Sequence, residues 1–363
     1  MNNNIAYHLE GHTSQGFYTL VPDLLKKTDH SLFLKGAPGT GVDRVLTSLV
    51  ENEFKDVETH EIKSPDDAER LVGLYVPAYA LFIYHDPLTA PISDQFPQLY
   101  GDTIDFNEVV NENKIKANRY QLHDHFVEMR HHQLKAYEHF SAAKRIHKEK
   151  EEIYLSAFDT YEADRIADEA IKRIFKEPRA PVEKPQYEVR FFGAATSKGP
   201  THFINELTEG LSQRLIIKGR SGSGKSTLMK KVINHAYENR EHVHVYFCAL
   251  DPVSVDMVVL PDRGITMLDG TAPHVIDPTR REDEVVDMFD RCIDESVESE
   301  YVDTLSSIND RYKVDIKTAT NHLKEMVNVY HEIKQIYQSA IEENVYNQKF
   351  NELKAHIQTI VQP

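Results

Sequence analysis

The sequence predicts an α/β protein of two tandem domains, each a parallel sheet flanked by helices and extended by a helical hairpin. Three observations predict it: a gapless internal repeat, short apolar strands alternating with helix-periodic stretches, and a glycine-rich turn of the same spacing in both halves. Thr13–Gly41 aligns with Thr196–Gly224 at a constant offset of 183, with nine of 29 positions identical, among them Gly36/Gly219, Gly39/Gly222 and Gly41/Gly224. The offset recurs in Asp86/Asp269, Asp94/Asp277, His139/His322, Glu149/Glu332 and Tyr154/Tyr337. Twice 183 is almost the whole chain, so the domains are expected at 1–177 and 186–363. Residues 178–185 join them in a Pro-rich, charged stretch suited to an extended linker.

In the second half Arg214–Lys218 reads as an apolar strand, Ser226–Asn239 as a helix, and Val243–Leu250 and Gly264–Asp269 as strands joined by a short crossover through Met257–Pro261. The first half echoes this with strands at Leu32–Lys35 and Ala80–Tyr84. From Asn107 to Phe175, and again from Asp283 to Ile360, the sequence is long, charged and helix-periodic, which predicts a projecting hairpin plus a returning helix on each sheet.

Composition excludes several classes. With 58 acidic against 42 basic residues and a net charge of −16, the chain lacks the basic surface a duplex nucleic-acid binder needs to displace phosphate counterions. The longest apolar run, Leu71–Tyr84, is broken by Pro77 and is too short to span a bilayer, so no membrane role is expected. Two cysteines, Cys248 and Cys292, make neither a disulfide framework nor a cysteine metal site. The opening residues carry no signal-peptide pattern, and the expected location is cytoplasmic.

Gly219-Arg220-Ser221-Gly222-Ser223-Gly224-Lys225-Ser226 fits G-x-x-x-x-G-K-[ST] in full, between a strand and a helix. The pattern is the Walker A loop of P-loop NTPases. Its glycines let successive N–H groups curl around phosphate, and the helix start adds partial positive charge. Gly219, Ser221, Gly222, Ser223, Gly224, Lys225, Ser226 and Thr227 are the expected nucleotide-binding set, Lys225 reaching the β- and γ-phosphates. Ser226 and Asp269, which ends the strand Ile265–Leu268 where a Walker B carboxylate belongs, are expected to hold Mg²⁺. Lys225 and Asp269 are the expected catalytic pair. Gly270 follows Asp269 where many motor ATPases carry a water-activating glutamate, so turnover is expected to be slow. The first half keeps the glycines of Gly36–Gly41 but has Val42 for the lysine and Asp43 for the hydroxyl. A carboxylate there repels phosphate, and this copy is not expected to bind Mg-nucleotide in the usual way.

Weaker signals surround the loop. Thr196–Gly199, echoed by Thr13–Gly16, reads as a helix cap with a tight turn ahead of the glycine loop, contact with the base or ribose being the alternative. Thr271-Ala272-Pro273-His274 and Asp277, echoed by Thr89-Ala90-Pro91 and Asp94, read as a turn with a γ-phosphate-sensing alternative. Arg280 and Arg281 read as the opening of the next helix. His125, His132 and His139 are seven apart, about 10 Å between neighbours on a helix, which favours a packing or solvated stripe over one metal.

The tandem halves, the GRSGSGKST loop, the MLDGTAPH segment and the helical hairpins resemble a family of bacterial cytosolic, tandem P-loop ATPase-like (nucleotide-binding) proteins. The resemblance spans the chain and implies a P-loop NTPase fold with Gly219, Gly222, Gly224, Lys225, Ser226 and Asp269 in the site. It names no substrate. The expected function is ATP binding with slow Mg²⁺-dependent hydrolysis in the second half, the first half being a degenerate structural or regulatory copy. ATP is preferred over GTP because no N/T-K-x-D motif is suitably placed, and no LSGGQ-like signature is present. A small-molecule kinase and a non-hydrolysing ATP switch or scaffold, with the hairpins meeting a protein partner, are the alternatives.

Overall fold

The computed structural model describes residues 4–87, 91–95 and 99–361. The first sheet contains β1 (Ile5–Tyr7), β4 (His30–Lys35), β5 (His60–Lys63), β6 (Leu71–Val76), β7 (Leu81–His85) and β8 (Asp102–Asp105), with a separate hairpin of β2 (Glu10–Thr13) and β3 (Gly16–Thr19). The second contains β9 (Tyr187–Phe191), β12 (Gln213–Lys218), β13 (Val243–Phe247), β14 (Val255–Leu260), β15 (Ile265–Asp269) and β16 (Asp283–Asp287), with a hairpin of β10 (Gly193–Thr196) and β11 (Gly199–His202). The strand orders are the same: β1-β5-β6-β7-β4-β8 and β9-β13-β14-β15-β12-β16. The 183-residue repeat is thus a repeat of topology.

Each sheet is mixed. β6 and β14 run antiparallel to both neighbours, and the other pairings are parallel. Met257–Pro261, expected as a crossover, is mostly strand β14. It returns into β15 through a 3₁₀ turn at Pro261–Arg263, where Gly264 takes a φ of 63°. Arg280 and Arg281 precede strand β16 and do not open a helix; the Arg280 guanidinium donates to the Thr208 carbonyl at 2.7 Å. Thr196–Gly199 forms the tip of hairpin β10–β11 and caps no helix: the Thr196 hydroxyl donates to the Gly199 carbonyl at 2.7 Å and accepts from the Lys198 amide at 3.1 Å. Thr89 and Ala90 lie outside the described residues.

The main helices are α1 (Val42–Ser48), α2 (Arg119–Leu155), α3 (Thr160–Ile174), α4 (Lys225–Glu238), α5 (Val302–Ala340) and α6 (Glu343–Val361). The long stretches do not fold back as hairpins on their own sheets. Instead α2 and α5 pair with one another, burying Ala136, Phe140, Ala319, Leu323 and Met326 in a common seam. The following helices then cross over. α3 inserts Ile166, Ala167, Ala170 and Ile174 into the core of the second sheet, against Leu228, Met229, Val232 and Ile233 of α4. Reciprocally, α6 inserts Tyr346, Leu353 and Ile357 into the core of the first sheet, against Val42, Val45 and Leu46 of α1. Each packed unit therefore takes one wall from the other half of the chain.

Paired contacts at the same offset show that the exchange is two-fold. The Asn111 amide donates to the Ala340 carbonyl at 2.8 Å, and the Asp294 amide to the Ala157 carbonyl at 3.1 Å. The Glu342 amide meets the Val109 carbonyl at 2.8 Å, and the Asp159 amide the Cys292 carbonyl at 2.7 Å. His139 and His322, partners in the repeat, stack across the seam with centroids 5.9 Å apart. Among the described residues no helix is long and apolar enough to cross a membrane.

Candidate functional site

Strand β12 ends at Lys218 on the carboxyl edge of the second sheet, and the chain turns through Gly219–Gly224 into α4. Gly222 and Gly224 have φ of 80° and 83°, a conformation that favours glycine and lets the turn close on itself. Space is a second constraint at both. A Cβ on Gly222 would stand 2.8 Å from the Glu151 carbonyl oxygen, and one on Gly224 would stand 3.0 Å from the Phe158 ring. Both neighbours belong to the first half of the chain, Glu151 near the end of α2 and Phe158 just after it.

Lys225, the first residue of α4, lays its ammonium over the turn. It donates to the carbonyls of Gly219 at 2.9 Å and Arg220 at 2.8 Å, and stands 3.6 Å from a carboxylate oxygen of Asp269. Asp269 sits on the adjacent strand because β12 and β15 pair in parallel with Ile217 opposite Asp269. Its other oxygen accepts from the Thr271 amide at 2.9 Å and from the Thr271 hydroxyl. The Ser226 hydroxyl accepts from the Val255 amide at 3.0 Å, which ties α4 to the start of β14. Ser223 donates to the Arg220 carbonyl at 2.8 Å, closing the turn from within. Ser221 points away from that bond and meets Nε2 of His147 on α2 at 2.8 Å. Thr227 is exposed one residue further along the helix. Lys225, Ser226 and Asp269 thus meet at one sheet edge, with Gly219–Gly224 as its floor.

Sequence reasoning missed Asp256. One position beyond the Met257↔Leu268 pair of β14 and β15, it lies opposite Asp269. Burial, reinforced by the charge of Asp269, pushes its carboxyl up to about 7, and it accepts from the Cys248 thiol. The available signal was the alternation in Val253–Leu260, which places Asp256 on a strand. A hydroxyl and two adjacent carboxylates, one of them reluctant to ionise beside the other, form a hard-oxygen donor set suited to Mg²⁺. Among the described residues no group of three His, Cys, Asp or Glu is placed to hold a metal by itself, so such an ion would need phosphate oxygens or water to complete its shell.

Also missed was the wall that α2 builds over this loop. Lys144 pairs with Asp251 at 2.6 Å, His147 meets Ser221, and Lys150 donates to Asn309 at 2.9 Å. Tyr154 donates to Glu298 at 2.9 Å, and Glu298 also accepts from Arg220 at 2.9 Å. Burial, then the charges of Lys144, Lys150 and Lys225, hold the His147 imidazole at about 4, so it is neutral at pH 7. Sequence alone placed this helix with the first sheet.

The first half shows the same edge rebuilt. Val42 is buried in the core and Asp43 lies in the first turn of α1, where it accepts from the Lys334 ammonium at 2.6 Å. Against the upward push of burial, Lys334 holds the Asp43 carboxyl below the usual carboxylate range. The Lys334 carbonyl sits against Gly39 as the Glu151 carbonyl sits against Gly222. Arg44 pairs with Glu343 at 3.2 Å and lies 4.3 Å from the Tyr346 ring centroid. Asp86, the counterpart of Asp269, is fully engaged by the Ile92 and Ser93 amides and the Ser93 hydroxyl. Beside this loop lies a cleft of about 480 Å³ lined by Asp43, Asp66, Arg70, Tyr330 and Lys334, with charges of both signs.

The predicted histidine stripe lies on α2. His132 meets His322 of α5 at 2.9 Å, and His139 meets Asp315 at 2.7 Å. These histidines pack the helix pair. Thr271–His274 is a turn, in which His274 is buried against Phe192 and His202. Asp277 pairs with Lys218 at 2.8 Å as Asp94 pairs with Lys35 at 2.6 Å.

In comparison with known proteins, residues 201–253 of this chain are similar to the family described as Nephrocystin 3, N-terminal, over a stretch that contains the glycine loop, α4 and β13. No curated protein and no solved structure matches the chain.

Proposed function

We propose that the second unit is a P-loop NTPase domain that binds ATP with Mg²⁺ on residues 219–227 and hydrolyses it slowly, and that the first unit is a degenerate structural or regulatory copy. One observation carries the reading: a lysine at the start of a helix is laid across a glycine turn at the carboxyl edge of the sheet, with a hydroxyl and a strand-end aspartate beside it. Successive backbone N–H groups and the start of α4 supply a cradle for phosphate. Lys225, now satisfied by two carbonyls of its own turn, would exchange them for the β- and γ-phosphate oxygens. Ser226 and Asp269, with Asp256 close behind, would hold Mg²⁺, which neutralises charge on the terminal phosphates. Gly270 leaves the strand end without a glutamate, which supports slow turnover. The same observations suit the tandem ATPase-like family that the sequence resembles, and a cytoplasmic protein.

The test is ATP binding and phosphate release, with and without Mg²⁺, for the intact chain and for Lys225→Ala. Micromolar binding that weakens by about ten- to a hundredfold in the variant, with slow release lost, supports the proposal. Turnover undiminished in Lys225→Ala, or no binding by the wild type, overturns it.

A further inference from the structure

The inference deepens the nucleotide site and rests on the ATP reading above. We infer that Lys150, on the long helix of the first half, belongs to the nucleotide site of the second half and meets the terminal phosphate of ATP there.

Four observations place it. First, the end of α2 lies directly on the glycine loop: His147 is hydrogen-bonded to Ser221 at 2.8 Å, and the Glu151 carbonyl packs against Gly222. Lys150 is three residues beyond His147 and four before Tyr154, whose hydroxyl reaches Glu298 and, through it, Arg220 of the loop. That spacing puts the three side chains on one helix face, turned toward the loop. Second, Lys150 is half-buried, and its one hydrogen-bond partner among the described residues is the neutral amide of Asn309 at 2.9 Å. The other cations around the loop already face carboxylates: Lys144 has Asp251, Arg220 has Glu298, and Lys225 has Asp269. Third, burial lowers the pKa of the Lys150 ammonium, and the nearby Arg220 and Lys225 lower it further against the opposing pull of the Glu298 carboxylate, which places it among the charges at the loop mouth. An anion there would relieve all three.

Fourth, the chain contains its own control. Applying the 183-residue offset, the counterpart of Lys150 is Ile333, which is fully buried in the seam of the two long helices beside Leu122 and Val329. Tyr330 stands there for His147 and Lys334 for Glu151. The half that has lost the loop lysine and hydroxyl, at Val42 and Asp43, therefore has no lysine at the position of Lys150, and the lysine its overlying helix does carry, Lys334, is one residue along and paired with Asp43. The half that keeps Lys225 and Ser226 keeps Lys150. A purely structural lysine in the helix seam has no reason to follow the state of the loop.

Lys225 spans the β- and γ-phosphates from the floor of the site, whereas Lys150 approaches from the covering helix, on the side of Ser221. Its ammonium is therefore directed to the phosphate that distinguishes ATP from ADP. His147, neutral at pH 7, adds no charge and acts as a positioning residue through Ser221.

The experiment compares Kd for Mg-ATP and Mg-ADP by titration calorimetry on the full chain. The variants are Lys150→Met, Lys150→Arg, Asn309→Ala and Lys148→Met, the last an exposed lysine on the same helix. Lys150→Met is expected to weaken ATP at least tenfold and ADP less than threefold, the loss of one charge-assisted contact. Lys150→Arg is expected to restore most of the ATP preference. Asn309→Ala, which removes only the resting partner, and Lys148→Met are expected to leave the ATP to ADP ratio unchanged. Equal weakening of both nucleotides by Lys150→Met, or no change in either, in a protein whose wild type binds both, overturns the inference and leaves the ATP site standing. A wild type that binds neither nucleotide overturns the ATP reading and this inference with it.

Discussion

Cutting the chain between its two halves should not separate them. The exposed linker stretch around Arg179–Pro181 can receive a protease site without touching either core. After cleavage, each piece still holds a helix inside the other: α3 in the second core, α6 in the first. Ile166 and Ile174 are 2% and 4% exposed at their places in the second core. Truncating a buried isoleucine to alanine costs about 2–5 kcal/mol, and 2 kcal/mol is roughly a thirtyfold change in an equilibrium constant. The two lie about two helical turns apart and should act nearly independently, so Ile166→Ala with Ile174→Ala should weaken the association of the cut pieces by roughly a thousandfold or more. The assay is sedimentation velocity of the cleaved protein at about 1 μM, with and without the two substitutions. One species of full mass for the wild type, and two smaller ones for the double variant, is the expected result. Two well-folded pieces that sediment apart in the wild type would show that each half builds its own core, and would refute the exchange.

Further outcomes follow from other parts of the molecule. Lys225→Ala should weaken Mg-ATP by about ten- to a hundredfold, as for loss of a hydrogen bond to a charged group, read by calorimetry. Arg214, 2% exposed, is bonded to Asp283 at 2.8 and 2.5 Å and fixes strand β16 beside β12. Arg214→Met should leave the Asp283 carboxylate without its counter-charge, held by the Thr279 and Arg280 amides alone, and cost about 3–5 kcal/mol in denaturant unfolding, whereas adding Asp283→Leu should recover only part of it because those two amides then lose their acceptor. Burial pushes the Glu10 carboxyl, bonded to the Tyr84 hydroxyl, up to about 7. Because its folded pKa lies above the unfolded one, the folded state holds the extra proton, and stability should fall as pH rises from about 4.5 to 7 and stay low above that. Glu10→Gln should flatten this dependence and stabilise the first unit at pH 8 by about 3 kcal/mol, measured as the shift of the urea midpoint between pH 5 and 8.

Much of the α/β class and the loop was legible because both rest on local signals. The glycine spacing, the apolar runs before Lys35 and Lys218, and the strand-end Asp269 are each readable within a dozen residues, and the repeat offset located their counterparts. Strand β14 escaped because an antiparallel return through Pro261–Gly264 is short enough to resemble a connection, and with it went Asp256. The exchange of α3 and α6 escaped for a deeper reason. In a tandem repeat, a helix that returns to its own sheet and one that crosses to the other make the same kinds of contact with equivalent residues. Ile166 would face a leucine or valine either way, so periodicity carries no information about which. What decides the path is the long run from Arg119 to Leu155, which carries the chain across to the other unit. The cover that His147, Lys150 and Glu151 provide over the second loop follows from that crossing, and no local pattern announces it.

The crossing also orders the birth of the molecule. As the chain leaves the ribosome, the first sheet and its hairpin emerge early, yet their third wall is residues 343–361, made only after every strand of the second sheet. Until residues 343–361 emerge, Leu32, Leu46 and Val45 do not have α6 to cover them, so the first unit cannot mature ahead of the second, as independent domains do. The first core closes only once the second sheet has been made, and a chain interrupted before Tyr346 would leave it open.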